Sequence, residues 1–98
     1  MRLTDKEVSA IKAATRLTFG PDAVVRLYGS RTIDTRCGGD IDLHVETQDE
    51  VDVWRAKDVF LERLFARIDA QRVDLIATKR GATPTPIEQI AYRDGVVL

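Results

Sequence analysis

Tyr28-Gly29-Ser30-Arg31, followed shortly by Asp40-Ile41-Asp42-Leu43-His44-Val45-Glu46, is the stretch that decides how this chain folds. The second segment alternates. Ile41, Leu43 and Val45 leave a strand on one side, and Asp40, Asp42, His44 and Glu46 on the other, because successive strand side chains point to opposite faces. One face therefore belongs to a core and the other to solvent or a ligand. The first segment is a small-residue turn. Gly29 permits positive φ and close backbone approach. Ser30 offers a hydroxyl and an N–H, and Arg31 a rigid cationic fork suited to phosphate. A turn able to hold a phosphate thus precedes a strand with two carboxylates on one side.

Working outward, the spacing predicts a first helix over residues 4–17. Thr4 and Glu7 have capping-box spacing, Val8, Ile11, Ala14 and Leu17 recur at helical intervals, and Gly20-Pro21 ends the run. Residues 23–28 read as a first strand, with a short helical turn expected before a loop over 35–39. The strand over 40–46 follows. A long amphipathic helix is expected over 49–70, burying Trp54, the Lys57 stem, Phe60, Leu61, Leu64, Phe65 and Ile68. Residues 72–78 form a third strand with Val73, Leu75 and Ala77 toward the core and Asp74 opposite. After a loop over 79–84, Thr85-Pro86-Ile87-Glu88 signals another helix start. That short helix presents Ile87, Ile90 and Ala91 and ends at Gly95. Val96-Val97-Leu98 packs back or pairs as an edge strand. The order implies one α/β (α+β) domain over 1–98, a mixed three- to four-stranded sheet covered by helices on one face. The face carrying the acids is then left open.

Composition narrows the functional classes. With 98 residues, 44% hydrophobic and 32% charged, the chain has the make-up of a single globular domain. No apolar run approaches the roughly 20 residues that span a bilayer, and Cys37 is the only cysteine, so no internal disulfide forms. Both features predict a cytoplasmic protein. Lys and Arg number 15 against 16 Asp and Glu, a net charge of −1. Long nucleic acid is disfavoured as a partner, because phosphate-backbone binding draws on a basic surplus.

Strand residues two apart share a face with Cα atoms roughly 6.5–7 Å from one another. Asp40 and Asp42 can therefore converge on one metal ion or flank two, and Asp74 joins them if the third strand lies beside the second. Three such acids repel one another unless a cation is bound, and Mg²⁺ takes carboxylate oxygens together with substrate phosphates. A lone Asp-x-Asp on an exposed strand is more simply a solubilising feature. Three aspartates in two expected strands are less simply explained so, because aspartate is a poor strand former.

Taken together, Gly29-Ser30-Arg31, then Gly38-Gly39-Asp40-Ile41-Asp42-Leu43, then Arg72-Val73-Asp74-Leu75-Ile76 resemble the minimal nucleotidyltransferases of the DNA-polymerase-β-like superfamily. The similarity runs from the first strand to residues 90–98. The family's commonest form has Gly-Ser before Asp-x-Asp, where this chain has Gly38-Gly39. The resemblance implies a nucleotidyltransferase fold and a two-metal transfer of NMP, AMP from ATP being the expected case. It makes Asp40, Asp42 and Asp74 the catalytic and Mg²⁺-binding residues, with Asp74 activating the acceptor hydroxyl. Gly29, Ser30 and Arg31 would bind the nucleotide's phosphates. It further implies a helical HEPN-type partner in a toxin–antitoxin pair, this chain being the antitoxin and the partner its acceptor. Self-association is another way to complete so small a site. Two other functions are weighed against this one: an antitoxin acting by contact alone, and transfer to RNA, which the charge balance disfavours.

Several further residues enter with modest expectations. His44 reads as a half-exposed strand histidine. Arg36, Lys79 and Arg80 are expected in loops near the acids, where each is at least as well explained as a solvated charge. Cys37 has no base beside it and reads as incidental. Trp54 and Phe60 are expected in the core, Arg16 and Glu62 on the surface.

Overall fold

The computed structural model describes residues 3–29 and 40–98. Helix α1 spans Asp5–Phe19 and is closed at its start by the expected capping box. The Glu7 N–H donates to Thr4 Oγ1 at 3.1 Å and the Thr4 N–H to Glu7 Oε1 at 3.0 Å. Gly20, at φ +101°, ends it by donating its N–H to the Arg16 carbonyl, the left-handed role a glycine fills without strain. Strand β1, Val24–Tyr28, pairs antiparallel with β2, Ile41–Thr47. Helix α2, Val53–Phe65, returns the chain to β3, Val73–Lys79, which lies parallel to β2. Helix α3, Pro86–Asp94, leads into β4, Val96–Val97, antiparallel to β1. The described residues thus form a mixed four-stranded sheet in the order β3-β2-β1-β4 with three helices.

The core lies between one sheet face and helices α1 and α2. Ile11, Leu27, Ile41, Leu43, Val45, Phe60 and Leu64 are completely buried there. Phe19 tilts against Phe60 with ring centroids 6.2 Å apart. The expected inward set of β2, Ile41, Leu43 and Val45, is therefore the centre of the core.

The opposite face is divided. Its far half is covered by α3, whose Tyr92 ring lies edge-on to His44 at 4.7 Å and beneath the Arg26 guanidinium at 4.7 Å. His44 is consequently fully buried, donating to or accepting from Thr78 Oγ1 at 2.9 Å, and not half exposed as its strand position suggested. Below Arg26, Glu46 accepts from that arginine at 3.3 Å and from Arg80 Nε at 2.6 Å. Arg80 also reaches Gln48 and the Asp22 carbonyl. It ties down the end of the sheet remote from the acids, about 20 Å of strand away, and Lys79 ends β3 there too. Neither belongs with the acids.

Other expectations shift for local reasons. Helix α2 is shorter than 49–70. At its end Arg67 and Ile68 both donate to the Leu64 carbonyl, tightening the last turn, and the residues up to 72 are needed to carry the chain into β3. Trp54 is not a core residue. It sits in the first turn of α2 beside the edge strand β3, where nothing overlies it, and is 85% exposed. The buried stripe of α1 is Ala10, Ile11, Ala14 and Thr15, which leaves Leu17 outside. In α3 the contact is made by Ala91 and Tyr92, while Ile87 and Ile90 turn outward. No helix among the described residues is long and apolar enough to cross a membrane.

Two outcomes follow. Phe60→Ala should lower unfolding stability by about 3–5 kcal/mol, and Trp54→Ala by less than about 0.5 kcal/mol, measured by urea denaturation. Burial and the neighbouring Arg26 charge hold the His44 pKa below its ordinary 6.5. Unfolded chains then take up a proton that folded chains refuse, so stability is present above pH 6.5 and declines as pH falls below it. The slope should reach at most about 1.4 kcal/mol per pH unit, and a His44→Gln variant should lack this component.

Candidate active site

The structure brings Asp42 and Asp74 side by side on neighbouring strands. In the register of β2 and β3, Asp42 faces Asp74 directly, between Ile41↔Val73 and Leu43↔Leu75. Parallel neighbours stand about 4.8 Å apart and corresponding residues point the same way, so the two carboxyls share a face and hydrogen-bond to each other. Asp40 lies one rung earlier, just before β2 begins. Both Asp40 and Asp74 keep side chains somewhat under half exposed, so the group opens to solvent at the end of the sheet that α3 leaves uncovered.

Charge at Asp42 is costly. Its pKa is raised above 3.8, first by burial, then by the Asp74 and Asp40 carboxylates and the hydrogen bond to Asp74, with Arg72 partly offsetting them. Two ionised carboxylates cannot hydrogen-bond, so Asp42 retains its proton to a higher pH than an isolated aspartate would. Tyr28, opposite Asp42 on β1, is pushed up as well, by burial and then by the negative charges of Asp42 and Asp74. Its phenol stays protonated and can donate.

Gly29 follows directly. It holds φ +78°, and a Cβ at this position would collide with the Asp42 carboxylate. Both observations demand glycine: the backbone turns left-handed and passes against an acid side chain. Strand and turn are thereby joined, as the sequence pattern required. Ser30 and Arg31, the other two members of the expected phosphate-binding turn, lie outside the described residues, as do Arg36, Cys37, Gly38, Gly39 and the helical turn and loop expected before Asp40.

Sequence reasoning overlooked Arg72. Its Nε stands 3.3 Å from Asp40 Oδ2 and 3.9 Å from Asp74 Oδ2. Its carbonyl accepts from the Ile41 N–H at 3.1 Å, which sets the residue across from Asp40. The available signal was its place two residues before Asp74, on the same strand face. Tyr28 was also passed over, although its place opposite Asp42 follows once the two strands are paired in antiparallel register.

Among the described residues, no three His, Cys, Asp or Glu side chains form a ready-made metal cage. Asp42 leans on Asp74, and Arg72 bridges Asp40 to Asp74. The donor set nonetheless suits a hard divalent cation: oxygen ligands, clustered, partly solvated, and carrying repulsion that a cation would remove. The chain matches no protein-family model, and no curated protein matches it.

The cost of charging Asp42 is measurable. In metal-free protein at pH 7, Asp42→Asn should raise the thermal midpoint, because it removes a partly buried charge and its repulsion by Asp74. A raised pKa means that stability is fully present below about pH 3.8 and is lost as pH rises through the higher folded value. The advantage of the variant should therefore shrink toward zero as pH is lowered to about 4, and a gain independent of pH would contradict this account.

Proposed function

We propose that this protein is a Mg²⁺-dependent nucleotidyltransferase that moves NMP, most simply AMP from ATP, onto a hydroxyl acceptor. The observation that carries this reading is the in-register pairing of Asp42 with Asp74 under a glycine turn that touches the Asp42 carboxylate. A solubilising surface has no use for a partly buried carboxyl placed where a neighbouring acid raises the cost of ionising it. A site that receives a cation with its substrate does.

In this reading Asp40, Asp42 and Asp74 would hold the metal, which would supply charge neutralisation at the phosphates and lower the pKa of the acceptor hydroxyl. Asp74 takes the acceptor's proton. The acceptor oxygen then bonds to the α-phosphorus, the bond from that phosphorus to the bridging oxygen breaks, and pyrophosphate leaves. Gly29 lets the backbone approach the phosphates without a side chain intervening, and Ser30 and Arg31 are assigned to the same contact from sequence. Tyr28, across from Asp42 on the neighbouring strand, would offer a protonated hydroxyl to the same group.

The acceptor proposed is a helical partner protein of the HEPN type, in the cytoplasm, with this chain as its antitoxin. That part rests on the resemblance to the minimal nucleotidyltransferases. Exposed Trp54, Ile87 and Ile90 are compatible with a protein partner. An open site on so small a domain also leaves room for an acceptor supplied by another chain.

Incubation with α-labelled ATP and Mg²⁺ tests the reading, with the protein encoded beside this one as acceptor. Wild type should transfer label, and Asp42→Asn should reduce transfer by at least about 100-fold. If wild type and Asp42→Asn both neutralise the partner while neither transfers label, contact alone is the activity. Label appearing in tRNA instead would move the acceptor class to RNA.

A further inference from the structure

Among the described residues, the nucleotidyltransferase reading leaves one charged group beside the acids, Arg72, without a role. Arg72 is held by its backbone to the first rung of the β2–β3 ladder, while its side chain is 73% exposed. The fixed end places the guanidinium between Asp40 and Asp74, and the free end can leave. Exposed ion pairs of 3.3 and 3.9 Å contribute little and exchange readily. A structural anchor would be built differently, as Arg80 is, with three partners at 2.6–2.9 Å.

The position has a consequence for cation binding. A divalent ion bound by Asp40 and Asp74 needs the oxygens that Arg72 contacts, and it would stand within a few ångströms of a like charge. Protein cation and metal cannot occupy the same carboxylate edges together. Arginine does not lose its charge near neutral pH, so it must move aside. A guanidinium moved from these two acids remains tethered at the rim of the site, where the metal's other ligands, the phosphates, would lie, and its fork suits phosphate oxygens.

We propose, building on the nucleotidyltransferase reading, that Arg72 is a displaceable counter-cation. It holds Asp40 and Asp74 while no metal is bound, competes with a divalent ion for them, and on displacement contacts the triphosphate. It is a positioning residue in the first state and a substrate contact in the second. The arrangement keeps the acid group from collapsing outward when empty, and it couples metal entry to nucleotide capture. Metal alone must displace an arginine. Metal arriving with a triphosphate offers that arginine a new partner.

Manganese(II) titrated into nucleotide-free protein at constant ionic strength, with free ion followed by electron paramagnetic resonance, tests this. Arg72→Gln should bind Mn²⁺ about twofold to tenfold tighter than wild type, the range that two exposed ion pairs span. Arg72→Lys, which keeps the charge, should stay within about twofold of wild type. At saturating Mn²⁺, Arg72→Gln should bind ATP about threefold to tenfold more weakly. Unchanged or weaker Mn²⁺ binding by Arg72→Gln overturns the proposal, as does a lysine variant that behaves like the glutamine one. Unchanged ATP affinity overturns its second state. Asp42→Asn separates the two levels of inference. If wild type binds Mn²⁺ and Asp42→Asn does not, the acid site stands and the Arg72 result alone decides. If Asp42→Asn binds as well as wild type, the nucleotidyltransferase reading falls and takes the Arg72 proposal with it.

Discussion

Strand β2 lies between an antiparallel neighbour, β1, paired over residues 42–46, and a parallel one, β3, paired along its whole length. Its period of two therefore sorts side chains across the whole molecule. Ile41, Leu43 and Val45 must share a face, and all three are sealed beneath α1 and α2. Asp42, His44 and Glu46 must share the other. A slip of one residue would put carboxylates in the core and isoleucine in water, so the core that fixes the register also fixes where the acids stand. The site is in this sense a by-product of the core: Asp42 meets Asp74 because Leu43 meets Leu75.

The polar face then resolves into two environments within one strand. At the Glu46 end, charges are matched. Arg26 and Arg80 converge on Glu46, whose pKa falls below its ordinary value chiefly through the Arg80 hydrogen bond, and α3 closes over the result with Tyr92. At the Asp42 end, like charges face one another, none of the three described helices covers them, and among the described residues the exposed Arg72 compensates. His44 marks the boundary, neutral and buried between the two. Polar groups that are buried need partners, and those that lack them are kept near water. The uncovered end is where incoming groups can complete the set.

Much of this was legible in the residue pattern. The Thr4–Glu7 capping box, the helix start at Thr85, the alternation of β2 and the apolar positions of β3 are local signals whose physics does not wait for tertiary structure, and each appears as read. Placing Asp74 beside Asp42 needed only that β3 neighbour β2. What sequence could not supply was which helix covers which half of a face. Strand position alone gives His44 as half exposed, and only the docking of Tyr92 buries it. Trp54 fits a helical apolar stripe, but the sheet ends at β3 before reaching it. Arg80 and Arg72 look equivalent in sequence, each flanking the third strand. They lie at opposite ends of a seven-residue strand, so one braces Glu46 and the other attends the acids.

That contrast between two arginines also bears on what the acid group is for. Had the chain needed only to neutralise Asp40, Asp42 and Asp74, the Arg80 solution was within its reach: short charge-assisted bonds to a carboxylate, an amide and a backbone carbonyl. Among the described residues the acids instead receive the solvent-exposed Arg72, at 3.3 and 3.9 Å, and Asp42 is left resisting ionisation. Removing Asp42's charge would stabilise the domain, so the group stands against the local interest of the fold. Natural sequences carry such conflicts where a ligand resolves them, and carboxylates whose mutual repulsion vanishes only when a cation arrives are that kind of conflict. The raised pKa of Asp42, more than the presence of three acids, is what the proposed metal site rests on.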